Sequence, residues 1–257
     1  PPDFGTPVEN FDLFNAGGDG FAEIELHRSY GIGATIRVHS NTSFAVDMAS
    51  LDGRKVADAE VLRGRVKFAV QELAGRNEFR VRTATASLSV RGTTFGVTTA
   101  PSGGVLVTCA SGAVTCRDES GTTLTAEAGQ VVEKVPGERF RTVPVAVSSL
   151  ERFQQEWITE RIEAFRADPL RAIDQYARLY EEHIGRFNDA YSSFIEEREV
   201  LNKWIAEDSS GSTGSTVDRI REKKRMIGPL LEVRKALFPF ERIYYRLLEL
   251  REDHHRG

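Results

Sequence analysis

The chain has 257 residues, a formal net charge of -4, 40% hydrophobic residues and 28% charged residues. This is the composition of a globular protein of one large or two modest domains, and the acidic balance argues against a general nucleic-acid binder, which carries a basic surplus. No apolar run approaches the roughly 18 residues of a membrane span, and Pro1-Pro2-Asp3-Phe4-Gly5 lacks the charged and apolar regions of a signal peptide, which is compatible with a trimmed export product.

From about Phe21 to Val147 the pattern has period two. Ala22-Glu23-Ile24-Glu25-Leu26, Thr35-Ile36-Arg37-Val38, Arg65-Val66-Lys67-Phe68-Ala69-Val70 and Phe79-Arg80-Val81-Arg82-Thr83 alternate apolar with polar residues. Leu88-Ser89-Val90 and Val105-Leu106-Val107-Thr108-Cys109 follow. Such segments are strands with one buried and one wet face. Gly64, Gly75, Gly92, Gly112 and Gly121 stand near strand ends, where turns call for positive φ. The reading is an all-β domain over 18–147, sandwich-like or a short β-solenoid.

Cys109 and Cys116 are too few for a disulfide framework. With a turn around residues 110–113 they share the inward parity of Val105, Val107 and Val114. Two buried thiols is the favoured reading, with a disulfide across a hairpin as the alternative. The spacing is wrong for a CxxC metal or redox site.

At residue 148 the period changes, and 148–257 reads as a helical domain. Ser148-Ser149-Leu150-Glu151 has the form of a capping box. Leu150, Phe153, Trp157, Ile158, Ile162 and Phe165 make the apolar stripe of a helix over about 149–167. Asp168-Pro169 ends it and starts the next, with aspartate as N-cap and proline in the first turn. A heptad seam then runs through Ile173, Ala177, Tyr180, Ile184, Phe187, Tyr191, Phe194, Leu201 and Ile205, with Arg198 in the one polar slot. It predicts a single helix over 169–207, roughly 60 Å long. After the polar link 209–215, a third helix over 216–251 returns, with breaks expected near Pro229 and Pro239. The fold class is therefore α+β in two segregated parts: the β domain, then an antiparallel long-helix hairpin or bundle with the helix from residue 149 at its base.

The order of the β motifs resembles the FecR domain family, a periplasmic module named after an iron-transport regulator. The resemblance spans about Gly18 to Val135. It rests on Gly20-Phe21-Ala22-Glu23-Ile24-Glu25-Leu26, Asn41-Thr42-Ser43-Phe44-Ala45-Val46, Val61-Leu62-Arg63-Gly64-Arg65-Val66-Lys67-Phe68, Phe79-Arg80-Val81-Arg82-Thr83, Gly112-Ala113-Val114 and Ala128-Gly129-Gln130-Val131-Val132. Its most specific part is Val90-Arg91-Gly92-Thr93-Thr94-Phe95-Gly96-Val97. It implies a non-enzymatic, exported protein of the periplasm or outer envelope, acting in protein–protein interaction or signal relay. The chain departs from the namesake: a cytoplasmic anti-sigma segment and a membrane helix are absent from this sequence, and a helical arm takes the place of the small domain that meets TonB-dependent transporters.

No catalytic, cofactor-binding or metal site is expected. Gly92, Thr93, Phe95, Gly64 and Gly112 read as structural motif residues, with a tight bend at Gly92 directing Phe95 into the core. His27, His39, His183, His254 and His255 are scattered, and nucleophile-elbow, P-loop and HExxH motifs are absent. Arg221-Glu222-Lys223-Lys224-Arg225 is expected to pair with Glu196, Glu197 and Glu199, the alternative being an anionic partner such as a membrane surface. Aromatics crowd the last helix at Phe238, Phe240, Tyr244 and Tyr245, and since two neighbouring tyrosines cannot both face one seam, Tyr244 or Tyr245 should lie outside the hairpin interface. Expected partners are envelope proteins, docking near Ala100-Pro101-Ser102-Gly103-Gly104 or on the outer helices, and a second copy through the helices. The alternatives are a scaffold subunit of a periplasmic assembly and a carbohydrate-active hydrolase on a β scaffold.

Overall fold

The structure, a computed structural model, describes residues 3–9, 12–51, 54–83, 85–118, 120–211, 215, 217–223, 225, 226, 228–230, 232, 233, 236, 237, 240 and 244. The chain divides into two compact units, Pro1–Ala172 and Ile173–Gly257. The first is mostly sheet and the second is helical, so the segregated α+β class holds.

The strands are β1 (Leu13–Ala16), β2 (Ala22–Leu26), β3 (Ala34–Val38), β4 (Thr42–Leu51), β5 (Arg54–Val70), β6 (Glu78–Arg82), β7 (Ala86–Val90), β8 (Thr94–Thr99), β9 (Val105–Ser111), β10 (Ala113–Asp118), β11 (Thr123–Glu127), β12 (Gln130–Lys134) and β13 (Arg141–Pro144). They form one 13-stranded sheet folded over on its longest strand. Up to Arg63, β5 pairs with β4 and β6; from Gly64 it pairs with β3 and β8. One layer therefore runs β1-β4-β5-β6-β7-β10-β11 and the other β2-β3-β5-β8-β9-β12-β13. Every ladder is antiparallel except β5 with β6, which is a folded-over sheet and not the parallel coil of a solenoid.

The alternating segments send their apolar residues into a single core between the layers. Phe68 of the second layer sits at its centre. It stacks on Phe95 at 4.8 Å, meets Phe79 edge-on at 5.8 Å and lies 6.0 Å from Phe44. Phe79 and Phe44 belong to the first layer, so these rings tie the two together across the core.

Helix α1 (Leu150–Ala167) belongs to the first unit, although its periodicity groups it with the helical half. The reason is its buried face: Leu150 and Trp157 cluster with Ala100, Leu106 and Val131 of the sheet. The capping box does not form. The helix starts at Leu150, so the cap position falls on Ser149, one residue past the Ser148 that a box with Glu151 requires; Ser149 has φ -108 and ψ -3 and makes no side-chain cap. Its N–H instead donates to Ala146 O at 2.8 Å. Asp168 does cap the next helix, its Oδ1 accepting from the Arg171 N–H at 3.2 Å.

The predicted 169–207 helix is two helices, α2 (Pro169–Ile195) and α3 (Arg198–Ser210). The break falls just before Arg198, the polar seam slot. A continuous helix would carry that guanidinium into the apolar seam, which is costly. The interruption at Glu196 and Glu197 turns α3 so that Val200 is buried and Trp204 half-buried, while the heptad residue Ile205 is 56% exposed. Residues 217–223, 225, 226 and 228–230 are helical, Gly228 and Pro229 included; Pro239, the other expected break, lies outside the described residues.

The second unit is an antiparallel hairpin, because its partner numbers rise on one side as they fall on the other. Tyr180 meets Tyr244 and Phe240, Phe187 meets Phe240, Glu197 pairs with Arg225, Lys203 and Trp204 with Glu222, and Glu207 with Arg219.

Candidate interaction surfaces

Each layer turns one face to the core and one outward. On the second layer, α1 occupies part of the outer face. Gly96 and Gly104 lie beneath it: a Cβ on Gly104 would make ordinary contact with the Trp157 ring at 3.5 Å, and one on Gly96 with Gln154 Nε2 at 3.6 Å, its tight neighbour being Thr108 Oγ1 at 2.8 Å. Gln154 donates to Thr98 Oγ1, and Trp157 Nε1 donates to Glu133 Oε2 at 2.8 Å. Glu133 is 4% exposed and takes a second donor from Arg141. The loop 100–104, read from the sequence as an exposed docking loop, is partly enclosed here. Ala100 and Gly104 are buried under α1, and Thr85 Oγ1 holds Gly103 O at 3.2 Å.

Beside α1 the same face carries a mixed strip. Arg37 pairs with Glu23 at 2.7 Å. Arg65 Nη2 donates to His39 Nδ1 at 3.1 Å, and the exposed ring of Phe21 meets His39 edge-on. Burial, then Arg65, lowers the His39 pKa, with Glu151 opposing. An accepting Nδ1 and a lowered pKa agree on a neutral imidazole.

The outer face of the first layer is a polar platform. One cross-strand row runs Ala45, Glu60, Arg82, Ser87, Arg117; the next runs Asp47, Asp58, Arg80, Ser89, Thr115. Arg82 pairs with Asp58 at 3.4 Å, Arg54 with Glu78 at 2.5 Å, and Arg80 also with Glu78. Glu60 is partly buried, and its pKa is pushed up to about 7 by burial first and then by Asp47 and Asp58, against the pull of Arg82.

The structure brings the glycine motif together at the crossings between layers. The segment after β7 carries the chain from the first layer to the second, and Gly112 carries it back between β9 and β10. Gly92 has φ 63 and Gly112 φ 78; a Cβ on Gly112 would stand 2.7 Å from Gly92 O. The buried Thr93 hydroxyl lies 3.0 Å from Ala113 O and bridges the two crossings. Gly64 marks the bend of β5, and Phe95 enters the core directly after the Gly92 crossing. That Gly92 and Gly112 are neighbours was not visible in the sequence, because the alternation does not say which layer a strand joins.

Cys109 and Cys116 are free, fully buried thiols. Their strands do not form a hairpin ladder but lie in opposite layers. Burial raises both pKa values, that of Cys116 to about 12 with Cys109 adding to the effect. Neither is placed to act as a nucleophile.

In the helical unit one basic residue of the run, Arg225, pairs across the hairpin, and the run's acidic member, Glu222, does so as well. Arg225 meets Glu197 at 2.5 Å, and Glu222 takes Lys203 at 2.5 Å and Trp204 Nε1 at 2.8 Å. Arg221 reaches Asp218 on its own helix at 3.9 Å. Of the expected acidic partners, only Glu197 is used among the described contacts; Lys224, Phe238, Tyr245, His254 and His255 lie outside the described residues. His27 caps a short turn through Ser29. Among the described residues no group of His, Cys, Asp and Glu is arranged to hold a metal ion, and no helix is long and apolar enough to cross a membrane.

The family model described as FecR protein matches residues 20–115, so the resemblance read from the β motifs holds over that stretch. No curated protein matches the chain. Two solved structures of a candidate anti-sigma factor from Parabacteroides distasonis are similar, at 14% sequence identity and TM-scores of 0.47 and 0.46. The match covers 56% of this chain and 65% and 64% of theirs, less than two thirds of their length.

Proposed function

We propose that the β unit, with its FecR region at residues 20–115, is the protein-docking head of an envelope-located regulatory or signal-relay protein that catalyses no reaction of its own. The observation that carries this reading is the outer face of the first layer, a broad polar platform. Its charged side chains include Asp47, Arg54, Asp58, Glu60, Glu78, Arg80, Arg82 and Arg117, spread in cross-strand rows over the sheet. At an interface, mixed charges of this kind serve partner choice and orientation more than raw affinity.

The test is in-cell photocrosslinking of the full chain. A photoreactive residue at Ser89 or Thr115 is expected to give one discrete protein adduct, and the same residue at Arg152, on the exposed side of α1, a weaker one or none. Absence of any adduct from the β platform would count against the docking reading. A second reading, a scaffold subunit that self-associates through its helices, is favoured by Ile205, Val217 and Ile220, which are 56%, 65% and 53% exposed. Sedimentation of the purified chain separates the two, since a strict monomer at high concentration removes the scaffold.

A further inference from the structure

Asp47 and Asp58 are direct cross-strand partners on β4 and β5, and Glu60 lies two residues along β5 on the same outer face. Like charges in that arrangement repel. The flanking strands set what else faces Glu60. From β6, Arg82 stands opposite Glu60 and Arg80 opposite Asp58. Arg82 is shared with Asp58 at 3.4 Å, and Arg80 is drawn to Glu78 on its own strand. On the other side Glu60 faces Ala45, and β1 adds Leu13 beyond it; past Arg82, β7 offers Ser87. Glu60 thus has apolar neighbours on one side, two carboxylates along the strip, and a guanidinium already engaged.

We propose that this strip is a proton-operated device, in which the crowding of Glu60 by Asp47 and Asp58 beside an already engaged Arg82 favours its acid form in the folded chain, and loss of that proton loosens the β4–β5–β6 side of the layer. The carboxyl's displacement from 4.5 to about 7 agrees with this geometry. The acid form is favoured by folding, so the stabilising contribution is complete below about 4.5 and is lost as pH rises through about 7. The inference stands apart from the docking reading, since it concerns the platform's own stability whether or not a partner binds there.

The experiment is an NMR titration of the Glu60 side-chain carboxyl in the full chain, together with denaturation at pH 5.5 and 8 followed through Trp157 in a Trp204→Phe background. The expected carboxyl midpoint is near 7, lower in Asp47→Asn and higher in Arg82→Gln. The denaturation midpoint is expected to fall between the two pH values, and Glu60→Gln to remove part of that fall. His39 contributes with the opposite sign, because its lowered pKa makes acid the destabilising condition; it is present in both proteins and cancels in their difference. A Glu60 midpoint near the ordinary glutamate value, or an identical pH dependence in Glu60→Gln, overturns the proposal. If Glu60→Gln does not fold, the titration of the unsubstituted chain decides alone.

Discussion

At Gly64 one strand serves both layers, and the backbone leaves no room for a side chain there. Its φ is 91, and a Cβ would stand 2.3 Å from Thr42 Oγ1 and 2.7 Å from Asn41 O. Gly64→Ala therefore combines a left-handed penalty of about 1–2 kcal/mol with overpacking of about 1–3 kcal/mol. Gly75 has φ 62 and nothing within 4 Å of its added Cβ, so Gly75→Ala should show only the first part. Chemical unfolding of both variants checks this, and equal losses would mean that the bend is not sterically fixed. The thiols supply a second residue-scale expectation. Cys109 and Cys116 should react with an exposed-thiol reagent only as fast as the β unit unfolds, because both are buried and their thiolates are disfavoured. Rapid reaction of the native chain would show that the core opens locally. The inward parity of both cysteines was legible in the alternation. Their placement in opposite layers was not, since that depends on the Gly112 crossing and not on the local pattern.

Among the elements, α1 shows what an amphipathic stripe reveals and what it conceals. Leu150 and Trp157 are buried as the spacing indicated, but the stripe did not name the surface that buries them, and Gln154, a polar residue, is buried beside them. The seat is visible only once Gly96, Gly104, Thr98 and Glu133 are assembled from separate strands. Trp157→Phe removes one of the two donors to buried Glu133, which should cost about 1–3 kcal/mol. The loss should appear as faster amide exchange along α1 while β5 and β8 stay protected. Unchanged exchange in α1 would show that the indole hydrogen bond does not hold the helix down. The same limit applies to the α2–α3 break. The polar slot at Arg198 was legible, whereas the choice between burying it and interrupting the helix depends on Val200 and Trp204 being available as replacements on the turned face.

At the scale of the whole molecule, the change from two-residue alternation to a three-four stripe separates sheet from helix correctly, but it does not coincide with the boundary between compact units. That boundary lies at Ala172/Ile173, because periodicity reports the shape of an element and not the core it joins. The two units differ in what they bury. The first has the Phe44, Phe68, Phe79 and Phe95 core, whereas among the described residues of the second the buried hydrophobics are Val200 and Met226. Two compact units can unfold in separate steps, and the sheet, whose aromatic core is fully buried, is expected to be the later of the two. Each unit carries its own reporter: Trp157 in the first and Trp204, bonded to Glu222, in the second. With Trp204→Phe and Trp157→Phe isolating one indole each, the Trp204 signal should change at lower denaturant than the Trp157 signal. Each substitution weakens only the unit whose indole it removes, so the transition read in each variant is that of the unsubstituted unit. Superimposable transitions would mean that the helices draw their stability from the same cooperative unit as the sheet.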